Sequence, residues 1–364
     1  MNAEVGASLL DECPAEVLLR ASRHRLAARI SEGLTVSAIG SDEPMLLLVS
    51  GGSDSMAMLV SIAAMRARRA SFPRGLAVLS IDHGLREAAA AEVASVLATA
   101  RALGIEEVYA RKVNIAEGAN VLGAAREARY AAATELARTL GGRTIVVAHQ
   151  AEDRAESYLM ALARREGLGA CTKLMPRRKF PEWGGAKVAR PFLDLTRAEL
   201  QAFLRDCGVR WIDDPSNVEH RRGTMRGDPS LRRLVAEIAG GLSLASDEAA
   251  ELLQLRDHMV AQVLSVDGRS CGRDAFDELP AVARRATLLR IAARGGASLS
   301  HATLVAASSC AHRAERRFAC SGGRELVLGR NHIVLDGAGT AAPGARAAAG
   351  NSETSSIEAA GTHL

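Results

Sequence analysis

The sequence predicts an α/β fold: a parallel doubly wound sheet followed by a smaller, mostly helical C-terminal part. Two observations predict it. From Met45 to Arg165, short apolar runs alternate with segments of helical periodicity, and the runs are nearly continuous, as strands covered on both faces require. The alternation weakens after about Asn217, where the remaining periodic segments are helical.

Taken in order, residues 14–32 (PAEVLLRASRHRLAARISE) predict one leading amphipathic helix with a basic outer face. Met45–Ser50, Leu76–Asp82, Glu107–Asn114 and Thr144–His149 predict four strands. Asp54–Arg69, Arg86–Leu103, Val121–Leu140 and Asp153–Arg165 predict the helices that follow them. Leu231–Val266 (interrupted at Gly240-Gly241) and Leu279–Arg294 carry helical periodicity. Arg324–Leu328 and His332–Leu335, around Gly329-Arg330-Asn331, predict a small hairpin. From Gly337 the biased composition predicts a disordered tail. The expected organisation is a helical extension over 1–40, the α/β domain over 41–227, a mostly helical part over 228–336 and the tail over 337–364.

With 364 residues the chain can bury two cores, and 48% hydrophobic with 24% charged residues is ordinary for a soluble globular protein. No apolar run approaches a membrane span, and the N-terminus lacks the pattern of a secretory signal. Six scattered cysteines without a C-x-x-C argue against structural zinc and fit the reduced thiols of a cytoplasmic protein. A net charge of +4 permits a polyanionic partner without demanding one. Aromatic residues are only 3%, which argues against a surface of base-stacking platforms.

The chemistry concentrates at strand ends, where such sheets bind ligands. Ser50-Gly51-Gly52-Ser53-Asp54-Ser55 joins the first strand to its helix. A glycine-rich turn there exposes backbone N–H groups at a helix N-terminus, an anion site to which Ser50, Ser53 and Ser55 add hydroxyl donors. The lysine of the Walker loop is absent, and Asp54 stands inside instead, which suits phosphates only if a divalent cation joins them. A tight turn with Asp54 as helix cap is the other reading.

The full run SGGSDS resembles the PP-loop of the N-type ATP pyrophosphatases, which bind ATP and release pyrophosphate after adenylating an acceptor. Further matches over roughly residues 40–230 resemble one branch, the tRNA(Ile)-lysidine synthetases. Asp82-His83-Gly84-Leu85-Arg86 is similar to their N-H-G-L-R. Ala125–Tyr130 (AREARY) matches A-R-x-x-R-Y, and Ala148–Asp153 (AHQAED) matches A-H-x-x-D-D with Glu152 for the first aspartate. Arg190-Pro191-Phe192-Leu193 and Asp214-Pro215-Ser216-Asn217 follow in the family's order. The departures are Arg154 and Ser157 for glutamine and threonine, Arg164-Arg165-Glu166-Gly167 for R-G-S-G, and Gly223 for asparagine in Arg222–Arg226.

The resemblance implies an adenine nucleotide alpha hydrolase-like fold and ATP with Mg2+ as cofactors. It implies ligation of free L-lysine to C2 of the wobble cytidine (position 34) of an isoleucine tRNA with a CAU anticodon, through an adenylated tRNA, with release of AMP and pyrophosphate. Ser50–Ser55 would hold the pyrophosphate. Asp82, His83, Arg126 and Arg129 would join them at the nucleotide, and Asp54 and Asp153 would hold magnesium. Asp54, Arg126, His149 and Asp153 would carry catalysis, and Glu152 and Glu156 would meet the lysine amine. Each has a plain structural alternative. Arg126 and Arg129, three apart, share a helix face that could be solvated, Tyr130 and His149 could be core, Asp153 a cap and Glu156 a surface residue. Arg177-Arg178-Lys179, Arg221-Arg222 and Arg316-Arg317 are candidate tRNA phosphate contacts, the last in the C-terminal part expected to bind tRNA. A 2-thiolation enzyme, or a non-catalytic homologue that only binds RNA or ATP, are the alternative functions. The sequence leaves oligomeric state open, a homodimer among the options.

Overall fold

The computed structural model describes residues 6–40, 43–68, 72, 75–82, 84, 88–113, 121–164, 167–172, 174–180, 183–213, 228–310 and 314–336. His83, Leu85, Arg86, Arg165, Glu166, Asp214–Asn217, Arg221–Arg226 and the tail 337–364 lie outside them. Contacts divide the chain into two units, Met1–Leu253 and Gln254–Leu364.

The first unit is built on a six-stranded sheet in the order β3-β2-β1-β4-β6-β5. Its strands are β1 (Met45–Leu48), β2 (Leu76–Asp82), β3 (Glu107–Lys112), β4 (Thr144–Val146), β5 (Arg177–Phe180) and β6 (Ala186–Ala189). All neighbours pair in parallel except β5, which runs antiparallel to β6 on the edge. Successive residues of β1 enter opposite cores. Met45 and Leu47 join one, while Leu46 and Leu48 join the other, and β2 divides Leu76 and Val78 from Ala77 and Leu79 in the same way. That double burial is why these strands read as unbroken apolar runs. Deleting a side chain such as Leu47 would cost about 2–5 kcal/mol.

Helices α1 (Pro14–Arg23), α2 (Leu26–Val36), α3 (Ser53–Arg68), α4 (Ala89–Ala102), α5 (Val121–Thr139), α6 (Ala151–Ala163) and α7 (Arg197–Cys207) cover the sheet. The single leading helix expected over 14–32 is two helices. His24 is extended between them, its Nδ1 accepts a hydrogen bond from the Leu26 backbone N–H at 3.1 Å, and its ring meets Phe203 edge-on at 5.0 Å. The extended backbone at His24 thus breaks the run, and its ring takes up the first N–H of the second helix, where periodicity alone shows no break. Two further helices follow, α8 (Pro229–Ala239) and α9 (Leu242–Val263). Val235, Ala239 and Leu242 pack on Ala151 and Ala155 of α6.

In the second unit the predicted hairpin is part of a four-stranded antiparallel sheet, β7-β10-β9-β8. To β9 (Glu325–Leu328) and β10 (His332–Asp336) it adds β7 (Ser270–Gly272) and β8 (Arg316–Ala319). Side chains from α10 (Arg273–Glu278), α11 (Ala281–Arg294) and α12 (His301–Ser308) complete its core around Phe276, Leu288, Ile291 and Leu326. Among the described residues, no helix is long and apolar enough to cross a membrane.

Candidate functional site

In the strand order 3-2-1-4, chain connections leave β1 in one direction and β4 in the other, so a crevice opens at their carboxyl ends. The segment after β1 is the serine-glycine loop. Gly51 takes a φ of +90°, a left-handed conformation that favours glycine, and a Cβ there would meet Ile212 Cδ1 at 2.8 Å. The Ile212 N–H donates to the Gly51 carbonyl at 2.9 Å, which fixes the loop from outside. Helix α3 starts at Ser53, so its N-terminal dipole points into the loop.

The hydroxyls differ from expectation at Ser55. Its Oγ accepts from the Ser50 N–H at 3.2 Å and donates to the Gly52 carbonyl at 2.9 Å, so this buried hydroxyl braces the loop internally and its proton is committed. Ser53 Oγ donates to Asp54 Oδ1 at 3.2 Å. Ser50 is exposed.

Asp54 is the centre of the arrangement. Its Oδ2 accepts from Arg197 Nη2 at 3.1 Å. Burial pushes its carboxyl above the usual range; the Arg197 charge opposes that rise, and the charge of Asp153 adds to it. The residues predicted as a metal pair are therefore electrostatic neighbours. Asp153 is 7% exposed, in the first turn of α6. It is not the cap itself. Gln150 is the N-cap, and Asp153 accepts the Gln150 N–H at 3.1 Å in a capping box. Glu152 accepts the Arg197 backbone N–H with both oxygens at 3.2 Å. Its carboxyl too is raised, by burial first; hydrogen bonds from its own and the Arg197 N–H and the Arg197 charge oppose this, and Asp54 adds to it. Glu156, one turn further, is 2% exposed, which removes the surface reading of it.

A second group lies around His149, which follows β4. Arg190, 2% exposed, donates from Nε to His149 Nδ1 at 3.2 Å and from Nη1 to the Met175 carbonyl at 2.9 Å. Because a guanidinium only donates, His149 Nδ1 is an acceptor, and a neutral ring carries its proton on Nε2. Burial lowers the Arg190 pKa, against which the neighbouring Tyr130 acts by charge and hydrogen bond. Tyr130 is core, stacked on Trp183 at 4.3 Å, and Arg126 lies over its other surroundings with Cζ 4.8 Å from the ring centroid. Arg129 is desolvated enough to lower its pKa, and its Nε is buried without a hydrogen-bond partner. Arg126, Arg190 and Tyr130 thus form one basic and aromatic group beside His149. Asp82 sits at the end of β2, where its Oδ1 accepts the Gly84 N–H at 2.7 Å. His83 is outside the described residues.

In two predicted phosphate-contact stretches, three arginines already have partners. Arg177 pairs with Glu43 at 2.6 Å, and Arg178 lies over Phe180 at 4.7 Å. Arg317 is shared among Glu315, Glu325 and Asp336 at 3.0–3.1 Å. Arg221-Arg222 falls outside the described residues.

Sequence reasoning missed Arg197, Arg190, Gln150 and Ile212 as individual residues. A signal for the first existed: Thr196-Arg197-Ala198-Glu199 is a capping box, in which Thr196 Oγ1 accepts the Glu199 N–H and Glu199 accepts the Thr196 N–H at 2.8 Å. It announces a helix start, though not that the helix begins against Asp54.

A half-buried carboxylate, Asp54, and a buried one, Asp153, beside the serine-glycine loop suit a divalent cation shared with phosphates. Among the described residues no group of three or more His, Cys, Asp and Glu side chains could hold a metal ion, so phosphate oxygens and water would have to supply the remaining ligands.

Comparison with known proteins agrees with this geometry. The family model described as PP-loop domain matches residues 23–228. The chain is 35% identical over 205 residues to a tRNA(Ile)-lysidine synthase of Novosphingobium aromaticivorans, covering 56% of this chain and 61% of that one. It is 35% identical over 262 residues to the tRNA(Ile)-lysidine synthase of Bradyrhizobium diazoefficiens, covering 68% and 71%. A third, from Ruegeria pomeroyi, is 32% identical over 303 residues, covering 79% and 69%. The chain thus spans from 61% to 71% of the length of these relatives. With a PP-loop domain over more than half its length, and a serine-glycine loop set against acidic α6, the chain belongs to the tRNA(Ile)-lysidine synthase family of PP-loop proteins.

Proposed function

We propose that the chain is an ATP-dependent ligase that joins free L-lysine to C2 of the wobble cytidine of an isoleucine tRNA with a CAU anticodon. The observation that carries this reading is the loop Ser50–Ser55 set beside Asp153 at the β1/β4 crevice, in a chain of the lysidine synthase family.

The loop N–H groups, the α3 N-terminus and the Ser50 hydroxyl hold the pyrophosphate part of ATP. Asp54 and Asp153 hold magnesium, which offsets charge on the leaving pyrophosphate. Asp82 and His83 assist at the nucleotide. The cytidine C2 oxygen attacks the α-phosphorus, the bond to the bridging oxygen breaks, and pyrophosphate leaves with the electron pair. Arg126 and Arg129 stabilise the charge that grows on the α-phosphate, and His149 offers its Nε2 to the same region. Lysine then attacks C2 through its neutral ε-amine. The C2–O bond breaks, AMP departs, and the amine loses a proton. A buried cation needs a carboxylate partner, and with Asp153 assigned to magnesium Glu156 is the first choice for the lysine ammonium and Glu152 the second. The C-terminal part, residues 228–336, binds tRNA.

The thiolation alternative draws no support from Cys207 and Cys271, which are buried and whose thiols burial pushes up to about 12.

The test is product formation from ATP with and without lysine and a CAU-anticodon isoleucine tRNA transcript. Pyrophosphate should appear only with the tRNA, and AMP release with a lysine-sized mass gain on the tRNA only when lysine is added. Pyrophosphate release independent of tRNA would contradict the proposal.

A further inference from the structure

We propose that Arg197 exchanges partners during nucleotide binding: it neutralises Asp54 in the ligand-free protein, then leaves that carboxylate to a divalent cation and turns its guanidinium onto a phosphate oxygen of the nucleotide. The proposal deepens the functional reading above and rests on it, because it takes Asp54 to be a cation ligand.

Three observations carry it. First, the Asp54 carboxyl feels Asp153 and Glu152 as well as Arg197, the charge of Arg197 also reaches Glu152, and among the described residues the ion pair of Arg197 is with Asp54, at 3.1 Å. A guanidinium 3.1 Å from the carboxylate repels a divalent cation placed on the same group, so metal uptake favours a position of Arg197 further from Asp54. Second, Arg197 Nε is buried with no hydrogen-bond partner. An unmet buried donor costs about 1–3 kcal/mol, and here it belongs to the planar fork that suits phosphate oxygens. Third, the backbone is anchored while the side chain has room. The Arg197 N–H is held by Glu152, and the capping box of Thr196 and Glu199 fixes the first turn of α7. The side chain itself is 36% exposed. The guanidinium can therefore turn by rotamer changes without shifting the helix. In its first position it offsets part of the charge of an acidic cluster at rest; in its second it adds a positive charge to the bound polyphosphate.

The exchange predicts opposite effects of one substitution on two ligands. Arg197→Met frees Asp54, so Mg2+ alone, titrated by calorimetry without nucleotide, should bind about tenfold more tightly than to wild type. The same variant loses a charge-assisted contact, so Mg2+ with a non-hydrolysable α,β-methylene ATP analogue should bind at least about tenfold more weakly. Arg197→Lys keeps the charge without the fork. It should bind Mg2+ alone like wild type and still lose analogue affinity, and it serves as the test if Arg197→Met fails to fold. Variants that bind the analogue as wild type does, or an Arg197→Met that binds Mg2+ alone no more tightly, overturn the exchange. Asp54→Asn separates the two failures. If it binds the magnesium analogue as wild type does, the reading of Asp54 as a cation ligand falls. If it loses that binding while the Arg197 variants keep theirs, the exchange alone falls.

Discussion

The two ends of β1 each carry a carboxylate paired with an arginine, and the pairs are tuned in opposite directions. At the amino end, burial alone would raise the Glu43 carboxyl. Bonds from Arg177 and Thr144, with the charges of Arg177 and Lys187, outweigh it and hold the carboxyl below its usual range. At the carboxyl end, burial raises Asp54, the charge of Asp153 adds to it, and Arg197 does not fully offset them. Both carboxylates flank the same strand, so their difference is not one of fold. Glu43 is surrounded by cations and donors that Arg177 also ties to the Ser37 and Ala38 carbonyls. Asp54 stands among other acids with one cation. A carboxylate satisfied by its own protein fastens β1, β4 and β5 together; one left short of positive charge is poised for a ligand that brings it.

The largest effect should come from Asp54→Asn. The swap is nearly isosteric, yet tRNA-dependent pyrophosphate formation should fall by about a thousandfold or more. Ligand-free stability should be unchanged or slightly higher, because a carboxyl raised by folding costs stability once ionised at neutral pH. Near-normal pyrophosphate release would remove Asp54 from the chemistry.

Next comes Glu156→Gln. A buried carboxylate that receives the lysine ammonium should, when neutralised, raise the lysine KM by about tenfold or more while adenylation of the tRNA persists. Superimposable AMP-formation curves against lysine concentration in the two proteins would take Glu156 out of the lysine site.

The smallest effect belongs to the amino end. Glu43→Gln should leave turnover intact and cost about 1–2 kcal/mol of stability, seen as a lowered Tm. The folded carboxyl lies below its unfolded value, so its contribution is full above the ordinary carboxylate range and is lost as pH falls through the folded value. The Tm gap between wild type and Glu43→Gln should therefore be widest at neutral pH and close in acid. A gap that widened in acid would contradict the assignment.

The same contrast explains what the sequence made legible. β1, β2 and β4 could be read because burial on both faces leaves continuous apolar runs, and SGGSDS because a phosphate loop needs its glycines locally. β5 was hidden: Arg177-Arg178-Lys179 reads as a basic phosphate-contact stretch, whereas on the sheet edge Arg177 pairs with Glu43 and Arg178 lies over Phe180. Arg154, a departure from the family pattern, is 3% exposed and pairs with Asp194 at 3.1 Å, with Asp247 also supporting its charge. Its partners lie 40 and 93 positions away, so no window of sequence reveals them. Arg197 escaped for the same reason. The capping box around it is local, but its link to Asp54 crosses 143 residues and exists only once α7 docks beside α3. In the second unit β9 and β10 were legible through the turn at Gly329-Arg330-Asn331, whereas β7 and β8, three and four residues long, carry no such signal.

The most direct test of the difference between the two ends is the rise in Tm that Mg2+ with α,β-methylene ATP gives to wild type, Glu43→Gln and Asp54→Asn, each measured against its own ligand-free protein. At one ligand concentration, a ligand that binds the folded state raises Tm by an amount that grows with the logarithm of its affinity. Glu43→Gln should start lower and rise by as much as wild type, while Asp54→Asn should start at or above wild type and rise little or not at all. An Asp54→Asn protein that gains the full shift, or a Glu43→Gln protein that loses it, would contradict the claim that nucleotide binds at the carboxyl end of β1.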